Sequence, residues 1–155
     1  MSRVRSRGNK TTELRAAELF KDNGITGWRR HAKLIGKPDF IWARSRVAVF
    51  IDGCFWHGCP IHYRKPVRNA DFWQAKLDRN LSRDKLVDEQ LDSLGWTVVR
   101  IWGHEIVEDL PAVVVRLRKI ARQTGSVKIR ANRLPAKKDI STFCRLAALN
   151  PLILL

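Results

Sequence analysis

DFIWARSRVAVFI, residues 39–51, sets two short apolar and β-branched runs on either side of Arg44, Ser45 and Arg46. That pattern predicts two strands, DFIWA and VAVFI, joined by a hairpin turn, and the unbroken apolarity of the second run predicts a central strand covered on both faces. Asp39 then opens one strand beside the closing end of its neighbour. Upstream, TTELRAAELFKDN (11–23) is rich in helix formers, with Thr11 or Thr12 to cap it, Leu14, Ala17 and Phe20 on its inward face and Gly24 as its stop. Between helix and hairpin, HAKLIGKPDFIW turns at Gly36, and Pro38 biases Lys37 towards an extended backbone. Downstream, DFWQAKLDRNLSRDKLVDEQLDSLG (71–95) predicts a long helix. At 100° per residue Trp73, Leu77, Leu81, Val87, Leu91 and Leu94 gather on one face, with Asn80 and Asp84 near its middle. TVVRIW (97–102) reads as a second core strand, closed by Gly103, His104 and Glu105. EDLPAVVVRLRKIARQ (108–123) reads as a last helix, with Pro111 in its first turn and Gly125 beyond its end. The order helix, hairpin, helix, strand, helix predicts an α/β sandwich around a mixed sheet.

A chain of 155 residues fits one compact domain that folds without disulfides. Its organisation reads as a basic arm at 1–10, a domain at 11–125 and a tail at 126–155 that is first basic and then apolar. Lys and Arg number 30 against 15 Asp and Glu, and the net charge of +15 calls for a polyanionic partner. Nucleic acid is the first candidate and an anionic membrane the second. No apolar run is long enough to span a bilayer and MSRVRSRGNK has no apolar signal core, so a cytoplasmic, DNA-associated protein is expected. Three cysteines, an odd count, point to thiols or metal ligands over a disulfide framework.

Three groups of residues carry chemistry. Asp39, Asp52 at the end of the neighbouring strand, and Glu13 on the preceding helix could converge on one edge of the sheet. Hard cations such as Mg²⁺ take oxygen ligands of this kind, and phosphodiester hydrolysis uses them; the plainer reading is a solvated turn acid and a first-turn helix acid. Cys59 and His62, separated by two residues, could join Asp84 and His104 around a tetrahedral Zn²⁺. Asp84 lies in an apolar stripe, where an unpaired carboxylate is costly and demands a cation or strong donors. The competing reading is a core thiol, two surface histidines and an acid paired with Arg83 or Lys85. Phe55 and Trp56 sit between Gly53 and Gly58 beyond a strand end, either as core residues or as a wedge for DNA base steps. His57, beside them, is placed to take a proton from water.

Taken in order, SRVRSRGNKTTELR, GKPDFIW, VAVFIDGCFWHGCPIH, FWQAKLDRNLSRD, LGWTVVRIW and the closing HE resemble the very-short-patch-repair (Vsr) DNA mismatch endonuclease family. The resemblance runs from about Met1 to Arg118. It implies the PD-(D/E)xK restriction-endonuclease-like α/β/α sandwich with a central mixed β-sheet, catalytic Mg²⁺, structural Zn²⁺ and a nick in one strand beside the thymine of a T·G mismatch. It implies Asp39 and the backbone carbonyl of Ile51 as Mg²⁺ ligands, His57 as general base, and Glu13 as orienter of metal-bound water. Phe55 and Trp56 become the wedge, with Met1 from the arm, and Cys59, His62, Asp84 and His104 the zinc ligands. Arg3, Arg5 and Lys37 are expected on DNA, with the protein acting as a monomer. Cys54 stands where the fold's usual lysine would follow the second acid. Asp52 stands where the founding enzymes have a histidine, either as a direct metal ligand or as an influence on the base, and Cys54 competes with His62 for the zinc. These departures admit two alternatives, a zinc-stabilised DNA-binding module without cleavage and a restriction- or homing-type nuclease with another target.

Overall fold

The computed structural model describes residues 12–123; the basic arm with Met1, Arg3 and Arg5, the possible cap Thr11, and the tail at 126–155 lie outside the described residues. The elements run α1 (Glu13–Asp22), β1 (Arg29–Arg30), β2 (Phe40–Trp42), β3 (Val47–Asp52), α2 (Ala70–Ser93), β4 (Thr97–Trp102), α3 (Gly103–Glu108) and α4 (Leu110–Gln123). They form a four-stranded sheet in the order β1-β2-β3-β4. β1, β2 and β3 pair antiparallel, whereas β4 joins β3 in parallel, Val47 opposite Thr97 through Asp52 opposite Trp102. A parallel neighbour requires a crossover, and the long α2 supplies it.

Period-two alternation divides the strands between two cores. Phe40, Trp42, Val47, Val49, Val99 and Ile101 pack with Phe20 of α1, Ile106 of α3 and Val113 and Leu117 of α4. On the other face Ile41, Ala48 and Phe50 pack with Leu91 of α2. Helices therefore cover both faces of a mixed sheet, the α/β/α arrangement read from the sequence. Phe20 meets Phe40 edge-on at 5.0 Å, which anchors α1, and so Glu13 at its start, against β2.

Several local expectations give way. Thr12 makes no side-chain capping bond, and its carbonyl instead accepts the N–H of Ala16 at 2.8 Å. Lys37 is not extended but has φ 56°, held by its N–H bond to the Leu34 carbonyl at 3.0 Å in the turn that Gly36 makes. Gly36 has φ 73°, and a Cβ there would stand 2.3 Å from Cγ1 of Val87, so only glycine lets this loop close against α2. On α2 Leu77 and Leu91 are buried, but Leu81 and Leu94 are 44% and 50% exposed. The inward line runs instead through Leu77, Asn80, Asp84, Val87 or Asp88, and Leu91. The helix thus spends its sheet-facing middle on polar groups. No described helix is long and apolar enough to cross a membrane.

Candidate active site and metal centre

Asp39 is fixed at the open end of the hairpin by two bonds to β3. Its N–H donates to the Val49 carbonyl at 2.9 Å, and its carboxylate accepts the N–H of Ile51 at 2.7 Å. Beside it a cavity of about 910 Å³ opens, with Glu13, Asp39, Ile51, Asp52, His57 and Asp84 among its walls. The cavity lies at the carboxyl end of β3, with the Arg100 side chain of β4 in its wall. Burial raises the Asp39 carboxyl, the Glu13 and Asp52 carboxylates add to this, and the Ile51 N–H and Arg30 oppose it; the result is about 6. A half-buried acid facing two buried ones is a ready seat for a divalent cation, because oxygen-rich sites of this kind suit Mg²⁺. Glu13, buried at the start of α1, accepts a bond from Arg30 of β1 at 2.8 Å. Lys37 is exposed on the rim.

His57 reaches the same cavity from the loop after β3. Its Nδ1 lies 2.5 Å from Oδ2 of Asp84 and 3.7 Å from Oδ1 of Asp52. An ionised carboxylate only accepts, so the proton sits on Nδ1, and Nε2 is left as the basic nitrogen. Asp84 thus orients the imidazole, as a carboxylate does in acid–base catalysis generally. This corrects the expected zinc set. The 3.6-residue period of α2 turns Asp84 towards the strand ends, and His57 and the Arg100 guanidinium, 3.7 Å from its Oδ1, meet its demand for positive partners. Asp52, 5% exposed, accepts bonds from Nη1 of Arg100 at 3.0 and 2.9 Å.

The soft ligands gather separately. Cys54, Cys59, His62 and His104 each offer one atom, and the four atoms lie within 4.8 Å of one another. Nδ1 of His104 is 3.2 Å from the Cys54 sulfur and 3.7 Å from that of Cys59, and Nδ1 of His62 is 4.0 Å from the Cys59 sulfur. A tetrahedral site with Zn–S of about 2.3 Å and Zn–N of about 2.0 Å sets its ligand atoms roughly 3.3–3.8 Å apart, so the donor set and its spacing fit zinc. Cys54 thus stands with Cys59, His62 and His104, where Asp84 was expected. Three of the four come from the loop 53–63, and His104 comes from the start of α3, so a bound ion would tie that loop to the end of β4. Glu105 fixes the start of α3 by accepting the Trp102 N–H at 2.7 Å while pairing with Arg116 at 3.2 Å.

Between its ligands the loop presents Phe55 and Trp56. Phe55 is 37% exposed and meets Trp56, Trp73 and Tyr63 with ring centres 5.1, 5.3 and 6.0 Å apart. Asn80 of α2 donates to the Trp56 carbonyl at 2.8 Å, and Lys76 lies 5.0 Å above the Trp56 ring. The pair is neither core nor free: it forms the outer edge of an aromatic platform beside a cation.

A family model described as "DNA mismatch endonuclease Vsr" matches residues 1–63. "Type II nicking enzyme V.NmeDIP" of Neisseria meningitidis serogroup C is 36% identical over 124 residues, 79% of this chain and 83% of the relative. The chain belongs to the Vsr family of DNA endonucleases. Other family members include "Type II nicking enzyme V.NaeI" of Lentzea aerocolonigenes, 51% identical over 79 residues, 51% of this chain and 48% of the relative. "DNA mismatch endonuclease Vsr" of Escherichia coli K12 is 34% identical over 91 residues, 58% of each chain. The chain thus spans about half the length of two of these Vsr relatives and most of the third.

One residue of this Vsr-family site, Arg100, escaped the sequence reading, and another, Cys54, was only half read. Cys54 was set against His62 as a rival, whereas the loop brings both to one point. Arg100 was absorbed into the strand TVVRIW. The signal lay in its position: a lone arginine on the α2-facing side of a core strand needs buried acids, and α2 carries Asp84 and Asp88 opposite it.

Proposed function

We propose that this protein is an endonuclease that nicks one strand of duplex DNA beside a T·G mismatch, by Mg²⁺-dependent hydrolysis. The observation that carries this reading is the meeting of Asp39, Glu13 and the His57–Asp84 pair on one cavity next to an aromatic edge. Asp39 and the carbonyl of Ile51 would hold the ion, whose chemistry is to acidify water and neutralise the leaving oxygen. Glu13 orients the water. His57 takes its proton on Nε2, and Asp84 stabilises the imidazolium that forms. Phe55 and Trp56 enter the base stack, and unstacking is offset by wider protein contact. Arg3, Arg5 and Lys37 contact the phosphate backbone, where cations supply affinity without reading sequence, and Met1 joins the wedge. Cys54, Cys59, His62 and His104 would hold Zn²⁺, which would tie the wedge loop to the start of α3. The protein acts as a monomer in the cytoplasm, on the nucleoid.

A strand-resolved assay on T·G and fully paired duplexes of the same sequence tests the reading. Nicks confined to the T·G duplex and its thymine strand are the expected result. Equal cutting of the paired duplex would instead favour a nuclease with another target, a reading supported by relatives named type II nicking enzymes. Binding without cutting would favour a zinc-stabilised DNA-binding module, which the cysteine standing in place of the fold's usual lysine supports.

A further inference from the structure

We propose that Arg100 is a positioning residue of the cleavage centre: it holds Asp52 as its own counter-charge and sets Asp84 against His57. The inference rests on the endonuclease reading above. Arg100 projects from the middle of β4 towards α2, its guanidinium 4.9 Å over the Phe50 ring. Nη1 donates to both oxygens of Asp52, Nε and Nη2 donate to Asp88 at 3.0 and 2.9 Å, and Nη2 reaches the Asp84 carbonyl at 3.3 Å. The planar fork is thus engaged on every nitrogen by protein oxygen, which leaves it ill placed to grip a phosphate and well placed to fix geometry.

Two of the three acids it holds face Nδ1 of His57. Asp84 lies at 2.5 Å from that nitrogen and Asp52 at 3.7 Å. Both have nearly buried side chains, 15% and 7% exposed, so a charge left unmatched there is costly. With Arg100 in place, Asp52 is anchored to β4 and Asp84 is the nearer acceptor. Without it, Asp52 becomes an uncompensated anion between Asp39 and His57, free to draw the imidazole or the catalytic cation out of position. Asp52 is accordingly a partner of Arg100 and not a ligand of the cation.

The test compares steady-state nicking of one duplex by the wild type, Arg100→Gln, and Arg100→Gln with Asp52→Asn, with melting curves and DNA binding as checks of folding. Loss of outer groups that orient a site costs about 10- to 100-fold, so R100Q is expected to lose about 100-fold in kcat with KM within about threefold. Removing the orphaned carboxylate in the double variant is expected to restore about tenfold over R100Q. An unchanged kcat in R100Q, or a loss appearing in KM alone, would overturn the inference, the latter by placing Arg100 on DNA. So would a double variant no better than the single one, the result expected if Asp52 bound the cation. If R100Q does not fold, Arg100→Lys replaces it in both proteins, keeping the charge without the fork; about a tenfold kcat loss is expected and none would overturn the proposal. A wild type that nicks no duplex would remove the endonuclease reading and this inference together, whereas an active wild type with an equally active R100Q removes the inference alone.

Discussion

Burial makes the Asp39 carboxylate costly where it stands, and its acidity records that cost. Its ordinary value of 3.8 rises to about 6 in the fold. The folded state therefore binds this proton more tightly than the unfolded chain does. The metal-free protein loses stability as pH rises from about 4 to 6, and the full penalty remains above that. Asp39→Asn is expected to be more stable than the wild type by about 1–2 kcal/mol at pH 8 without divalent ions, with the gain vanishing near pH 4. Denaturant titrations at the two pH values measure this. His57→Ala and Asp84→Asn should each slow nicking by about 100-fold or more while leaving DNA affinity nearly intact, the first by removing the base and the second by favouring the wrong tautomer. Single-turnover rates beside binding curves check the split; equal losses in both would place His57 in binding. The sequence made Asp84's need for a cation legible, since an acid in an apolar stripe has few ways to stay. It did not reveal which cation, because His57 is 27 positions and Arg100 16 positions away, and no local period links them.

Among the elements, the loop 53–63 has the most chemistry and the least regular structure. It carries three of the four clustered soft donors, the Phe55–Trp56 pair and His57. Structural zinc contributes folding free energy directly, so about one Zn²⁺ per chain is expected to survive mild chelation, and Cys59→Ser should lower the melting temperature and the metal content together. Elemental analysis of the purified protein, paired with melting curves, decides it; protein that folds fully with no zinc would rule the site out. The hairpin, α2, β4 and α4 were all legible because each is long enough to show a period or a flanking break. β1, of two residues, and α3, of six, are too short to show either, and pairing with Ile41 and Phe40 creates the former. The inward face of α2 was misread for a physical reason: apolar residues were assumed to face the sheet, whereas Leu81 and Leu94 are exposed so that Asn80 and Asp84 can turn to the site.

For the molecule as a whole, the alternation of two cores fixes where function sits. Two parallel strand ends, one crossover helix and one loop meet on a single edge, and there the apolar pattern yields to acids, imidazoles and an arginine. The net charge of +15 favours a polyanionic partner for the molecule as a whole. Fold class was legible from the order of elements, but the separation of the catalytic and soft-ligand clusters was not, since both draw on the same short stretch of chain. The central claim is that a divalent ion held by Asp39 drives strand cleavage. Product formation on a T·G duplex, titrated with Mg²⁺ for the wild type and Asp39→Ala, tests it most directly. The account predicts nicking by the wild type that rises from zero and saturates with Mg²⁺, and none by the variant at any concentration; nicking that persists in chelator, or that survives in Asp39→Ala, would contradict it.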